Sequence, residues 1–425
     1  MSGAGTGPFA ALRGTSAPRE RSYRCAYDHK GRTDTRGWGV ARVLVIGGGI
    51  AGAATALALH RAGLDARVYE AHPDSAEDLG AFLTLASNGM RALAALDASA
   101  AVTALGFPLT SMRVLDGAGT QMARVPLGEA ADPLLRYRCL RRGDLGSALQ
   151  AEAVRRGVTV RHGARLVSVE QDTNGVTARF ADGTSASGDL LIGADGLNSA
   201  VRAAFAPAVR PRYAGQQVFY GYASAVGLPA GDACITMVRG SAAAFGFAVS
   251  PEGETYWFAR VSGAPLPAAE IGDGTSAGWR ETLLALLRDD DTPAADIVAA
   301  TGDDVLVTRA TEIPPGSPWR SGRVLLVGDA AHAASPATGQ GASMALEDAV
   351  VLAKCLRDLP GTDAALARYE ELRRPRVEHN ITVSGNISRG VSSPSPAGRG
   401  AAPARPGEEE LARLLDWTAD LSARP

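Results

Sequence analysis

Lysine is almost missing from this chain: 43 residues are Lys or Arg, yet only Lys30 and Lys354 are lysine. Arginine takes its place amid abundant alanine and glycine, a bias that points to a GC-rich coding genome more than to a binding need. The formal net charge is -2, so the basic field of a nucleic-acid binder is absent and no such partner is expected. Cysteine is scarce as well. Cys25, Cys139, Cys234 and Cys355 stand far apart, with no CxxC pair and no histidine at ligand spacing, which predicts reduced thiols. The histidines at 29, 60, 72, 162 and 379 show no paired spacing either, and no metal is expected.

Long apolar runs are lacking too. Residues 1–39 are broken by charge throughout, so no signal peptide is predicted. The run Val43–Leu59 is short, holds four glycines and ends in HRAG, which argues for a buried strand and helix, not a membrane span. A cytoplasmic protein, monomeric or homodimeric, is the expectation.

What the chain does have is core material: 425 residues, 46% of them hydrophobic, enough for two domains. ARVLVI at 41–46 reads as a strand buried on both faces, AGAATALALHRAG as a tightly packed helix capped by Gly63, and DARVYE as a second strand ending at Glu70. Gly47, Gly49 and Gly52 carry the GxGxxG spacing, with Glu70 about twenty positions on to receive ribose hydroxyls. Alone, this loop fits NAD as well as FAD.

Residues 164–192 change the pattern. Asn174-Gly175 and Asp182-Gly183 separate short alternating segments, the mark of a β-meander in place of another helical crossover. The aromatic, alternating runs between 211 and 260 predict an antiparallel sheet, to which 111–138 add strands. In GASMALEDAVVLAKCLRD the spacing of Ala342, Ala345, Leu346, Ala349, Leu352, Ala353 and Leu356 predicts a helix with one buried face. Residues 391–407 read as a Pro/Gly/Ser linker before a short terminal helix.

Three motifs stand together: GGGIAG with Glu70, GADGLNSAVR at 193–202, and GDAAHAASPATGQGASMALEDA at 328–349. With LRRGDLGSAL at 140–149 and RYEELRRPRV at 368–377, they resemble the FAD-dependent aromatic hydroxylases of the para-hydroxybenzoate hydroxylase type, the single-component flavoprotein monooxygenases. The resemblance spans about residues 41–385. It implies an α/β fold: a Rossmann-like FAD domain with a β-meander crossover (40–110, 139–210 and 311–390), and an antiparallel-sheet substrate domain of α+β type (111–138 and 211–310). Residues 391–425 would be the linker and terminal helix. The strand at 41 usually opens such chains, so 1–39 are expected to be a disordered extension, with Val40 a candidate start.

By the same resemblance, Asp329 takes the ribityl chain of noncovalently bound FAD, Arg142 its phosphate or ribose side, and Asp195, Gly196, Ser199 and Arg202 serve FAD and the reduced nicotinamide. Gly328, Pro336, Gly339, Gly341 and Ala342 form the loop beside the flavin ring, with a helix N-terminus aimed at its pyrimidine edge. Ser343 departs from the asparagine common in relatives, and His332 reads as structural, not as a general base. The implied reaction uses NADPH or NADH and dioxygen to hydroxylate a phenolic or polycyclic aromatic substrate, reduced flavin and dioxygen giving a C4a-hydroperoxide whose distal oxygen is transferred. Tyr220, Tyr222, Met237 and Phe247 are the candidate substrate-cavity residues. Epoxidation, Baeyer–Villiger oxygenation, isoprenoid-type flavin reduction and a noncatalytic FAD-bound protein remain as alternatives on this fold.

Overall fold

Arg42–Ile46 forms the expected strand, with four of its five residues buried. The computed structural model describes residues 42–74, 81–128, 132–224, 226–391 and 408–422, all within one compact unit, Gly39–Pro425. The expected extension 1–39 and nearly all of the 391–407 linker lie outside the described residues.

Six strands form the first sheet, in the order Arg320–Ser321, Val324–Leu326, Leu190–Gly193, Arg42–Ile46, Asp65–Tyr69, Thr159–Arg161. All neighbours run parallel except the 320–326 hairpin at one edge. Parallel strands deliver their C-terminal ends to one side, and the loops after 46, 69, 193 and 326 therefore emerge together. The meander forms as expected: Leu166–Gln171, Val176–Phe180 and Ser185–Gly188 pair antiparallel. Asp172 accepts from the amides of Asn174 and Gly175, and Asp182 from that of Thr184, which closes both turns.

Helix Gly341–Asp358 differs from its predicted single buried face. Every residue from Ser343 to Cys355 is buried, Glu347, Asp348 and Lys354 included. Helices Ile50–Arg61, Ser87–Ala95, Thr362–Ser388 and Glu408–Leu415 enclose it on all sides. Polar groups on the face assigned to solvent must then find internal partners. Lys354 does so at the C-terminal end of Glu408–Leu415, where its Nζ donates to the carbonyls of Leu414 at 2.8 Å and of Asp416.

A seven-stranded sheet follows the order Leu306–Glu312, Arg212–Ala223, Thr255–Ser262, Ala244–Val249, Cys234–Arg239, Ser111–Asp116, Gln121–Pro126. It is antiparallel except at one seam, where Cys234–Arg239 runs parallel to Ser111–Asp116. No hairpin joins those two strands, so nothing local forces the antiparallel sense. Tyr137–Arg141 leaves this sheet and pairs with Phe82–Leu85 and Phe107–Leu109. One face of the large sheet packs Phe219, Phe245 and Trp257 against helices Ser276–Leu287 and Ala294–Ala299. The other turns Tyr220, Tyr222, Tyr256 and Phe258 toward Phe82 and Phe107. Among the described residues no helix is long and apolar enough to cross a membrane.

Candidate cofactor and substrate site

The glycine loop is shaped by close backbone contacts. Gly47 has φ +100°, and a Cβ there would lie 2.5 Å from the Ala194 carbonyl oxygen. At Gly52 a Cβ would fall 1.8 Å from the Gly47 oxygen, so helix and strand meet only because both are glycine. Gly49 is exposed with open space around it, and it caps helix Ile50–Arg61 without a side-chain hydrogen bond. That leaves backbone N–H groups and room for a pyrophosphate. Glu70 is held against the loop, its Oε2 accepting from Gly48 N at 2.5 Å and its Oε1 from His72 N at 2.7 Å. Gly52→Ala is expected to yield protein with little bound flavin, read from visible absorbance after gel filtration.

Asp195 emerges beside this loop, its Cα 3.0 Å from where a Gly47 Cβ would stand. Its Oδ2 accepts from Val201 N at 3.1 Å, while Oδ1 is buried without a partner. Burial raises its carboxyl pKa above the ordinary value. Such an orphaned acceptor fits a site that a ligand donor completes. Gly196 follows in a turn, and Ser199 Oγ caps helix Ala200–Phe205 by accepting from Arg202 N at 2.8 Å. Arg202, expected to touch a cofactor, braces two of the loops. Its guanidinium donates to the carbonyls of Ala330 at 2.8 Å and Leu197 at 2.5 Å, tying the 193–202 loop to the 328–332 loop.

Asp329 opens the short helix Asp329–His332 after buried Gly328. Its side chain is 40% exposed, and among the described residues its one ion-pair partner is Arg142, at 4.0 Å. Two residues far apart in sequence thus frame the same groove. Pro336–Thr338 forms a single turn, Gly339 follows in the left-handed region, and Gln340 caps helix Gly341–Asp358 without a side-chain bond. The amides of Gly341 and Ala342 are left for a ligand, with about half a positive charge from the helix behind them.

Beneath these loops lies an ionic cluster that sequence reading missed. Asp348 accepts from Gly328 N at 3.0 Å, His332 Nε2 at 2.5 Å and Arg373 Nε at 2.8 Å. Glu347 receives Arg373 at 2.5 Å, Arg376 at 2.8 Å and Asn88 at 2.7 Å. Burial works against the Asp348 carboxylate, but His332 and Arg373 outweigh it and hold the pKa at about 2. His332 also packs on Trp319, ring centres 5.3 Å apart. Ser343 accepts from Ala86 N at 3.1 Å, so its hydroxyl joins two helices. The available signal was the adjacent acids of ALEDA, together with the arginines of RRPRV: charges within a buried helix require partners.

In the large sheet, Tyr220, Tyr222 and Met237, the candidate cavity residues, share one face. Phe247 is the exception. Register sets Met237 opposite Gly246 and Thr236 opposite Phe247, so Phe247 points to the other face. There it lines a separate cavity of 380 Å³ with Arg113, Thr236 and Val249. Alternation within a strand was legible, but the phase between strands was not. The residues missed are Tyr256, Phe258, Arg260 and Phe82, whose ring centre lies 5.6 Å from Tyr256, 6.2 Å from Tyr220 and Phe258, and 6.4 Å from Tyr222. Burial pushes the Tyr220 hydroxyl up to about 12, which keeps it neutral. Among the described residues no cluster could hold a metal ion.

Comparison with known proteins agrees with this geometry. The family model described as FAD binding domain matches residues 40–384. Aurachin C monooxygenase/isomerase of Stigmatella aurantiaca is 32% identical over 82% of this chain and 88% of its own length. A 3-amino-4-hydroxybenzoate 2-monooxygenase of Streptomyces platensis is 36% identical over 79% of this chain and 85% of its own. The crystal structure of Klebsiella pneumoniae HpxO, complexed with FAD and uric acid, superposes with TM-score 0.74 at 28% identity, covering 91% of this chain and 95% of that one.

Proposed function

This chain belongs to the family of FAD-dependent aromatic monooxygenases, and on that premise we propose that it uses NADH or NADPH and dioxygen to hydroxylate a phenolic or polycyclic aromatic compound. The observation that carries the reading is convergence. Loops carrying Gly47–Gly52, Glu70, Asp195 and Asp329 meet at the carboxyl ends of the parallel strands, and Arg260 of the aromatic sheet reaches the Pro336–Thr338 turn beside them.

In this reading Gly47, Gly49 and Gly52 admit the FAD pyrophosphate, Glu70 takes the adenine-side ribose, Arg142 the phosphate or ribose side, and Asp329 the ribityl hydroxyls. Gly328, Pro336 and Gly339 shape the loop beside the flavin ring, and the free amides of Gly341 and Ala342 favour negative charge on its pyrimidine edge. Asp195 and Gly196 border the same groove, with Arg202 bracing them. Bound FAD supplies the electron transfer from the nicotinamide and the activation of oxygen. The protein's own share is placement and exclusion of water: Tyr220, Tyr222, Met237, Phe258 and Phe82 form an apolar wall that holds an aromatic ring and keeps solvent out. Residues 40–110, 139–210 and 311–390 would then serve the nucleotide, and 111–138 with 211–310 the substrate.

Oxygen uptake with each nicotinamide nucleotide, over a panel of phenols and polycyclic aromatics, tests this. Uptake that requires substrate, with a product heavier by one oxygen atom, is the expected result. Turnover without oxygen, or flavin that neither nucleotide bleaches with any panel member, would sink it.

A further inference from the structure

Phe247 turns away from the aromatic wall, and what it turns toward is the cavity of 380 Å³. That cavity lies on the sheet face of Trp257, the residue Phe247 opposes on the neighbouring strand. It straddles the seam where Cys234–Arg239 runs parallel to Ser111–Asp116, and Pro293, which precedes helix Ala294–Ala299, borders it. Met237 and Ala248, on two of the lining strands, point to the opposite side. The cavity thus stands back to back with the aromatic wall and shares none of its side chains.

Its volume falls within the roughly 300–1,000 Å³ of small-molecule sites. Like them it has an apolar lining, here Leu115, Leu228 and Phe247, with a few polar groups among it. One of those is Arg113, whose Nε and Nη2 both donate to the buried Thr236 hydroxyl, at 3.2 and 2.8 Å. Two bonds to one oxygen fix the guanidinium and leave Nη1 with no acceptor among the described residues. Across the strand pair Arg113 opposes Arg124, and it makes no ion pair among the described residues. Elsewhere this protein matches such groups with carboxylates, as Arg373 with Glu347 and Arg141 with Glu254. A fixed donor left unused at the edge of an apolar cavity is what a ligand oxygen needs. Asp232 borders the same space, its Oδ1 accepting from Cys234 N at 3.0 Å. A ligand carboxylate would therefore add a second negative charge beside it, which a neutral carbonyl avoids.

We propose that this cavity is a second small-molecule site, which takes a neutral fused-ring compound whose carbonyl oxygen accepts from Arg113 and whose rings lie against Phe247 and Leu115. Neither the flavin groove nor the aromatic wall contributes to the lining, so occupancy here does not depend on the hydroxylase reading.

Cys234 reports on occupancy, because its thiol borders the cavity at 3% exposure whereas Cys139 and Cys355 are fully buried. FAD-loaded protein is treated with N-ethylmaleimide, and peptide mass spectrometry follows the labelling of each cysteine, alone and with coumarin, 4-quinolone, indole or coumarin-3-carboxylate. A ligand at about ten times its dissociation constant leaves roughly one cavity in ten empty, so coumarin and 4-quinolone are expected to slow the labelling of Cys234 about tenfold. Indole, which has the rings but no acceptor oxygen, and the carboxylate should each need about tenfold higher concentration for the same protection. R113M should raise the coumarin requirement by a similar factor while retaining its flavin. L115W, which fills the space, should slow labelling with no ligand present, and it tests the cavity should R113M fold poorly. A Cys234 that labels only after unfolding, no protection by either carbonyl compound, equal protection by indole or the carboxylate, protection that survives in R113M, or unchanged labelling in L115W would overturn the proposal.

Discussion

Asp329→Ala is expected to emerge from gel filtration folded but depleted of FAD. The carboxylate stands at the groove, 40% exposed, with Arg142 its one ion-pair partner among the described residues, at 4.0 Å, so its removal breaks little within the protein. What it removes is an acceptor for ligand hydroxyls. Hydrogen bonds to a charged group contribute about 1.5–3 kcal/mol each, and the loss of one or two weakens FAD by roughly tenfold to about ten-thousandfold or more. Fluorescence titration of the apoprotein gives the affinity, and circular dichroism shows whether the fold survives. Asp329→Asn, which keeps one acceptor, should fall between. A variant with full flavin content and unchanged affinity would refute the assigned role.

The second large effect concerns stability. Arg373→Met should destabilise the protein by about 3–5 kcal/mol, the cost of stripping one partner from a buried ionic group. Methionine fills much of the volume but leaves Glu347 and Asp348 facing each other's charge, with only Arg376 and His332 remaining. In the parent both carboxyls are held below their ordinary values, Asp348 at about 2. Groups depressed on folding add stability above their unfolded pKa and lose it as pH falls through the folded one. The variant lacks the one cation that acts on both, so its deficit should be greatest near neutral pH and narrow on acidification. Urea unfolding across pH measures both; a deficit below about 1 kcal/mol, typical of exposed pairs, would mean that the cluster is not a buried unit.

Much of the nucleotide-binding half was legible because its signals are local. The apolar run at 41–46, the glycines after it and the paired turns of the meander each fix their own few residues, and the structure agrees with them. Features set by distant partners were not. An apolar stripe along 342–356 looks the same whether the opposite face meets water or the arginines of Thr362–Ser388. The side to which Phe247 points depends on which residue of Cys234–Arg239 it opposes, and that is decided by pairing across the sheet. Arg260 gave no sign at all, since one arginine in an alternating strand reads as solvent-facing until Phe258 and Ala337 are seen around it.

Helix Gly341–Asp358 faces the groove with its first residues and holds the segment at 414–416 through Lys354 near its far end. A rigid rod anchored at one end transmits a pull to the other. A protease cut or fusion joint that frees Glu408–Leu415 would therefore be felt at the flavin, as a change in its absorbance, although nothing near the ring had been altered.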